Sequence, residues 1–155
     1  MSEIDEGSKA PDFTLPGDNA SEISLSSYRG KPVVLYFYPK DNTSGCTKEA
    51  QAFNDLWPTF KKAGVTVIGV SPDSAASHDK FKAKFDLAFP LAADTETEVA
   101  NAYGVWKEKS MYGKKYMGVE RSTFLINKDG KVAKAWRKVK VPGHAEAVLD
   151  AVKAL

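Results

Sequence analysis

The chain of 155 residues contains few thiol and imidazole side chains: one cysteine, Cys46, and two histidines. One cysteine cannot close an internal disulfide, and the reducing cytoplasm is the default location for such a protein. A Cys-x-x-Cys redox pair is excluded, and one cysteine with two separated histidines does not predict a metal site. The sequence therefore predicts a cytoplasmic protein without a disulfide or a bound metal.

Long apolar runs and blocks of like charge are also missing. The longest apolar run covers residues 33–38, far too short to cross a bilayer, and the first six residues are acidic, so we expect no secretory signal. The 22 basic and 20 acidic residues are mixed along the chain, with a net charge of +2. No basic run is dense enough for a nucleic-acid surface. We expect one globular domain over residues 1–155, with neither a membrane nor a nucleic acid as a partner.

Extended segments alternate with helical patterns along the chain. Residues 33–38 are apolar throughout, which indicates a strand covered on both faces. Two short segments around a turn at residues 16–19 indicate an N-terminal hairpin, and Pro58 should kink or restart the first helix. The pattern favours an α/β fold with a mixed central sheet and helices on both faces. The predicted strands are 12–15, 22–25, 33–38, 65–70, 122–127 and 131–139, and the predicted helices are 46–63, 74–85, 96–102 and 143–154.

Cys46 lies where a polar turn after the apolar strand gives way to a helical pattern. Free backbone N–H groups and the positive end of the helix dipole meet at a helix start, and both favour a thiolate over a thiol. The alternative is that Cys46 is a small buried hydrophobic residue. A nucleophilic cysteine also needs a nearby cation, but His78 and His144 have the pattern of surface or capping residues. A Cys–His hydrolase is therefore a poor fit.

Several motifs along the chain, and the order in which they follow one another, resemble those of the peroxiredoxins, most closely the bacterioferritin-comigratory-protein or Q-type subfamily. Pro39, Thr43 and Cys46 form the pattern Pro-x-x-x-Thr-x-x-Cys, and Arg121 precedes a second apolar strand. The resemblance covers nearly the whole chain and implies a thioredoxin-like fold with an N-terminal hairpin extension. Its other motifs are Gly7–Phe13, Tyr38–Asp41, Gly45–Glu49, Gly69–Asp73 and Ala102–Trp106.

The resemblance also implies a role for each of these side chains. Cys46 would be the thiolate that attacks a peroxide and becomes a sulfenic acid, and Arg121 would be the missing cation. Thr43 would offer its hydroxyl to the sulfur and the peroxide, and Pro39 would pack over the thiolate. The plainer alternatives are a turn residue for Thr43, a solvated strand-edge charge for Arg121 and a simple strand end for Pro39. The implied reaction needs no metal, flavin or haem.

The chain departs from the subfamily at the position of a second, resolving cysteine. Gln51 stands where many relatives carry this cysteine. Other relatives carry it on the next helix, but the helix predicted over 74–85 contains no cysteine. We therefore expect a one-cysteine peroxidase, a monomer or weak homodimer, that takes electrons from an external thiol of small-molecule, thioredoxin or glutaredoxin type. The alternative function is a non-enzymatic redox sensor or holdase that signals through oxidation of Cys46.

Overall fold

The computed structural model describes residues 4–155. Residues 1–3, which form half of the acidic stretch used to predict the absence of a secretory signal, lie outside the described residues. The strands are β1 Thr14–Pro16, β2 Glu22–Ser24, β3 Val33–Phe37, β4 Thr66–Ser71, β5 Leu91–Ala93, β6 Trp106–Met111, β7 Lys114–Val119, β8 Ser122–Ile126 and β9 Val132–Trp136. The helices are α1 Ser44–Lys62, α2 Ala75–Phe85, α3 Glu98–Ala102 and α4 His144–Lys153, with a 3₁₀ turn at Leu25–Tyr28.

A five-stranded mixed sheet with the order β5-β4-β3-β8-β9 forms the centre of the molecule. Strand β3 pairs in parallel with β4 and antiparallel with β8. All five β3 residues are buried, as an apolar strand between two covered faces must be. Alternate side chains serve the two faces: Leu35 and Phe37 pack with α3 and the N-terminal segment, while Val34 and Tyr36 pack with α1, α2 and α4. This arrangement confirms the predicted α/β, thioredoxin-like fold.

The N-terminal hairpin is confirmed, with slightly shifted ends. Strands β1 and β2 pair antiparallel, and Leu15 lies opposite Ile23. The turn between them contains Asn19 and Ala20 in the left-handed backbone region, with φ of 57° and 55°. The hairpin is tied to α2 by an ion pair between Lys82 Nζ and Asp18 Oδ2 at 2.7 Å.

Helix α1 begins two residues before the predicted start and continues through Pro58. The expected restart of the helix at this proline does not occur. Pro58 is exposed, so its ring projects into solvent rather than into the packed face of the helix. The same continuous helix contains the N-terminal turn and the apolar face with Ala50 and Phe53, both buried.

Three strands were not predicted. Strand β5 has only three residues, too few for a periodic signal. Strands β6 and β7 form a separate hairpin of mostly exposed, lysine-containing residues, so they lack the apolar alternation of a half-buried strand. The last predicted strand, 131–139, is shorter in the structure and ends at Trp136. Over residues 4–155, no helix combines the length and the apolar character that crossing a bilayer requires.

Candidate active site

Cys46 is the third residue of α1, just beyond the carboxyl end of β3. The loop between the two elements turns through Asn42, which has a left-handed φ of 59°, and Thr43 is the extended residue that caps the helix. The Thr43 carbonyl accepts the first helical hydrogen bond from Thr47 N–H at 2.8 Å. Cys46 is only 2% exposed, and this is a free thiol. The local sequence thus buries a sulfur atom beside the unpaired N–H groups of a helix start.

Arg121 places a positive charge against this sulfur. The residue immediately precedes β8, the neighbour of β3 in the sheet, and Nη2 donates to Cys46 Sγ at 3.3 Å. Its other terminal nitrogen, Nη1, donates to Glu49 Oε1 at 2.6 Å. The Arg121 side chain is 17% exposed, so it is not the solvated strand-edge charge of the plainer alternative. One guanidinium therefore bridges the thiol and a carboxyl group on the same helix.

Glu49 is the member of this site that the sequence reasoning missed. It lies one helical turn after Cys46, is 1% exposed, and its Oε2 has no hydrogen-bond partner among residues 4–155. Burial raises the pKa of Glu49 to about 7, although the charge and hydrogen bond of Arg121 act in the opposite direction. A glutamate three residues after the cysteine, on a helix face otherwise apolar, was the signal that could have revealed it.

Thr43 and Pro39 lie in the same loop but make different contacts. The Thr43 hydroxyl donates to the Lys40 carbonyl at 2.8 Å, which stabilises the turn before the helix. The threonine is exposed, and its hydroxyl oxygen keeps its lone pairs for a further hydrogen bond. Pro39 is half-buried directly after Tyr38, at the end of the central strand.

The prediction that both histidines are surface or capping residues is wrong. His78 is fully buried on α2 and contacts Asp41, and His144 is buried at the first position of α4, where Nε2 contacts Thr123 Oγ1 at 2.8 Å. Burial, and then the charge of Arg121, lower the pKa of His144 to about 4. The charged residues around His78 in the sequence give no indication that its side chain is buried, because only the packing of α2 on the sheet brings that residue inside. Within the described chain, no three His, Cys, Asp or Glu side chains are grouped so as to hold a metal ion.

A buried thiol at a helix start, contacted by a guanidinium, lies in an environment that favours the thiolate, the nucleophilic form of cysteine. The sequence profile of the AhpC/TSA family matches residues 7–135. Peroxiredoxin Bcp of Bacillus subtilis is 52% identical over 150 residues, which cover 97% of this chain and 96% of that protein. Peroxiredoxin Bcp of Xanthomonas campestris is 52% identical over 143 residues, which cover 92% of this chain and 89% of that protein. The chain belongs to the AhpC/TSA family, as a peroxiredoxin of the Bcp or Q type.

Solved structures give the same result. Peroxiredoxin Q of Xanthomonas campestris superposes with a TM-score of 0.88 at 51% identity, covering 92% of this chain and 90% of that one. A PrxQ mutant of Xylella fastidiosa superposes with a TM-score of 0.94 at 44% identity, and the match covers 99% of this chain and 98% of that one. The present sequence contains a single cysteine, Cys46, so the chain is a one-cysteine peroxiredoxin.

Proposed function

We propose that Cys46 is the peroxidatic residue of this thiol-dependent peroxidase, acting on hydrogen peroxide and organic hydroperoxides. The observation that supports this most directly is the 3.3 Å contact between Arg121 Nη2 and the sulfur of the chain's one thiol. A solved structure of the Xanthomonas campestris bacterioferritin comigratory protein is described in terms of alkyl peroxide reduction, which favours organic hydroperoxides as substrates here.

The reaction begins when the thiolate attacks one peroxide oxygen. An S–O bond forms as the O–O bond breaks, and the released oxygen takes up a proton and leaves as water or alcohol. The guanidinium of Arg121 stabilises both the thiolate and the charge that develops on the leaving oxygen. Thr43, whose hydroxyl already donates to Lys40, contributes an acceptor lone pair to the O–H of the bound peroxide. Pro39 limits the access of water to the sulfur.

Recycling requires thiols from outside the chain. A donor thiol attacks the sulfenic sulfur, an S–S bond forms and the hydroxyl group leaves as water; a second thiol then releases Cys46. The donor is a small thiol or a protein of the thioredoxin or glutaredoxin type. The working form is one domain of residues 1–155, a monomer or weak homodimer in the cytoplasm.

The test is peroxide consumption with dithiothreitol as donor, together with trapping of the sulfenic acid by dimedone. The wild-type protein should consume many equivalents of peroxide, and one equivalent should give a dimedone adduct at Cys46. Cys46→Ser should do neither while keeping its circular dichroism spectrum, because oxygen replaces sulfur with little change in packing. Turnover by Cys46→Ser near the wild-type rate would disprove the assignment. A single stoichiometric oxidation without turnover would instead identify a redox sensor.

A further inference from the structure

The hairpin of β6 and β7, residues 106–119, carries an exposed apolar patch. Five large hydrophobic side chains are exposed among residues 4–155, and four of them lie on this hairpin: Met111, Tyr112, Tyr116 and Met117. Residues 110–117 are exposed without interruption, and the two strands form a two-stranded sheet of their own. The outer half of the hairpin therefore projects from the body of the protein. A concentrated patch rich in tyrosine and methionine is typical of a protein-binding surface.

The tip of the hairpin holds an aromatic ring at a position that disfavours one. Tyr112 and Gly113 connect the strands, and both have left-handed backbone angles, with φ of 53° and 78°. Such a two-residue turn is most stable with asparagine, aspartate or glycine at its first position, and a bulky residue there strains the backbone. Tyr112 is also 98% exposed, so its ring contributes almost nothing to the packing of the fold. A strained and exposed ring indicates a role in contact with another molecule.

The charge of the hairpin indicates the chemistry of that molecule. Residues 106–119 contain four lysines and one glutamate, which give a net charge of +3. The glutamate, Glu108, forms an ion pair with Lys115 at 3.7 Å, but both side chains are more than half exposed, so the pair is weak. Two copies of this hairpin would repel each other. The charge therefore favours a partner with acidic side chains over a second copy of the chain.

The base of the hairpin lies next to the active site in the chain. Val119, the last residue of β7, is buried, and the N–H of Glu120 donates to the Val105 carbonyl at 2.7 Å. Arg121, whose guanidinium contacts the sulfur, follows directly. One residue thus separates the hairpin from the cation of the site.

Lys109 turns one face of the hairpin towards the sulfur. It lies opposite Tyr116, and a Cβ at Gly118 would lie 3.3 Å from Lys109 Cδ, so the lysine stem leans across Gly118 towards the end of β7. Burial, and then the charge of Arg121, lower the pKa of Lys109, whereas a negative charge on Cys46 raises it. The lysine is therefore close enough to interact electrostatically with both groups of the site.

The register continues this face to the tip. Met111 lies opposite Lys114, as Lys109 lies opposite Tyr116, and side chains two positions apart on one strand point to the same side. All four side chains therefore share the face that Lys109 turns towards the site. The face runs from the active site to Tyr112 and combines apolar contact area with positive charge.

Each turnover needs a second molecule at this place, because the chain contains no second cysteine to reduce the sulfenic acid. A small thiol would need only access to the sulfur and would make no use of exposed side chains at the far end of a hairpin. A donor protein must hold its cysteine against Cys46 through contacts outside the reacting atoms. The hairpin face offers apolar anchors for such contacts and lysines that attract an acidic partner.

Building on the proposed function, we propose that the hairpin of β6 and β7 is the docking surface for a protein thiol donor. The partner that fits has a reactive cysteine in an apolar area bordered by acidic side chains. Tyr112, Met111 and Tyr116 contact the apolar area, and Lys114 faces the acidic border. Of a small thiol and a protein, the protein is therefore the efficient donor.

The experiment compares protein and small-molecule donors with the same variants. The measured quantity is kcat/KM for thioredoxin and for glutaredoxin, each kept reduced by its NADPH-dependent system, and for dithiothreitol. Tyr112→Asn removes the ring and suits the left-handed turn, and Met111→Gln removes an apolar contact from the face of Lys109. Met117→Gln is the matched control, because it changes the same residue type on the opposite face of the hairpin, at 49% exposure against 57%.

We expect kcat/KM for the better protein donor to fall about tenfold in Tyr112→Asn and about fivefold in Met111→Gln, the range for anchor residues of an interface. Met117→Gln should stay within about twofold of wild type. Lys114→Glu should also lower kcat/KM about tenfold at low ionic strength, with a smaller effect as salt is added. With dithiothreitol, all four variants should stay within about twofold of wild type, because this donor makes no contact with the hairpin.

Equal losses with protein donors and with dithiothreitol would show that the hairpin supports the active site rather than docking, and would overturn the proposal. Equal losses in Met117→Gln and Met111→Gln, or reduction of the wild-type protein by dithiothreitol alone, would overturn it as well. Gel filtration and flotation with phosphatidylglycerol vesicles test other occupants; a dimer or a vesicle-bound form that depends on Tyr112, with unchanged donor kinetics, would replace the proposal. Failure of the proposed function gives a different result, since the wild-type protein would then consume no peroxide with any donor.

Discussion

The carboxyl group of Glu49 allows a quantitative test of the electrostatics of the site. It is buried, it shares one guanidinium with the thiol, and its Oε2 has no partner within residues 4–155. Its pKa is raised from 4.5 to about 7, mainly by burial. Between these two values the folded protein holds a proton on Glu49 that the unfolded chain has already lost.

The sign and the size of the effect follow from this difference. A carboxyl group with a raised pKa in the folded state favours folding at low pH, and this contribution is lost as the pH rises from about 4.5 through about 7. Each pKa unit corresponds to about 1.4 kcal/mol, so the shift amounts to about 3 kcal/mol of unfolding free energy. Glu49→Gln has no proton to lose, and its amide oxygen can still accept the hydrogen bond from Arg121 Nη1.

The assay is equilibrium unfolding in urea at pH 4.5 and pH 8. We expect the stability of Glu49→Gln relative to wild type to become more favourable by about 3 kcal/mol between the two pH values. Glu146→Gln, a substitution of an exposed glutamate in the first turn of α4, is the matched control and should show no comparable trend. A difference between Glu49→Gln and wild type that is the same at both pH values would show that burial does not hold a proton on Glu49, and the reasoning would be wrong.

Two further substitutions test neighbouring contacts. A Cβ at Gly45 would lie 3.2 Å from Arg121 Nη2, closer than an ordinary contact, so Gly45→Ala should shift the guanidinium from the sulfur and slow the peroxide step about tenfold. Gly118→Ala, which would meet the flexible Lys109 side chain at 3.3 Å and the Tyr116 ring at 3.5 Å, should retain the wild-type rate; equal rates for both variants would contradict the role of the Arg121 contact. His144 has a pKa lowered to about 4, so protonation of the buried ring destabilises the folded state as the pH falls from about 6.5 to 4, and His144→Gln should gain stability relative to wild type over this range. Urea unfolding of both proteins at both ends of this pH window checks the prediction, and a stability difference that is the same at both pH values would refute it.

The sequence by itself determined the elements whose signals are local. Strand β3 could be predicted because its residues are apolar without interruption, and the start of α1 because a polar turn precedes an amphipathic pattern. The position of Cys46 at the junction of these elements followed at once. The motif that contains Pro39, Thr43 and Cys46 gave the family, and the family named Arg121 as the cation.

Only the tertiary structure decided which distant side chains meet. Arg121 and Cys46 are 75 positions apart, and His78 and Asp41 are 37 apart. No periodicity within one element encodes these distances, so the sequence pattern predicts surface positions for two buried histidines and assigns no site role to Glu49. The physical reason is that burial of a charged side chain depends on the partners that compensate its lost hydration. Those partners are brought together by sheet order and helix packing, which join segments remote from one another in the chain.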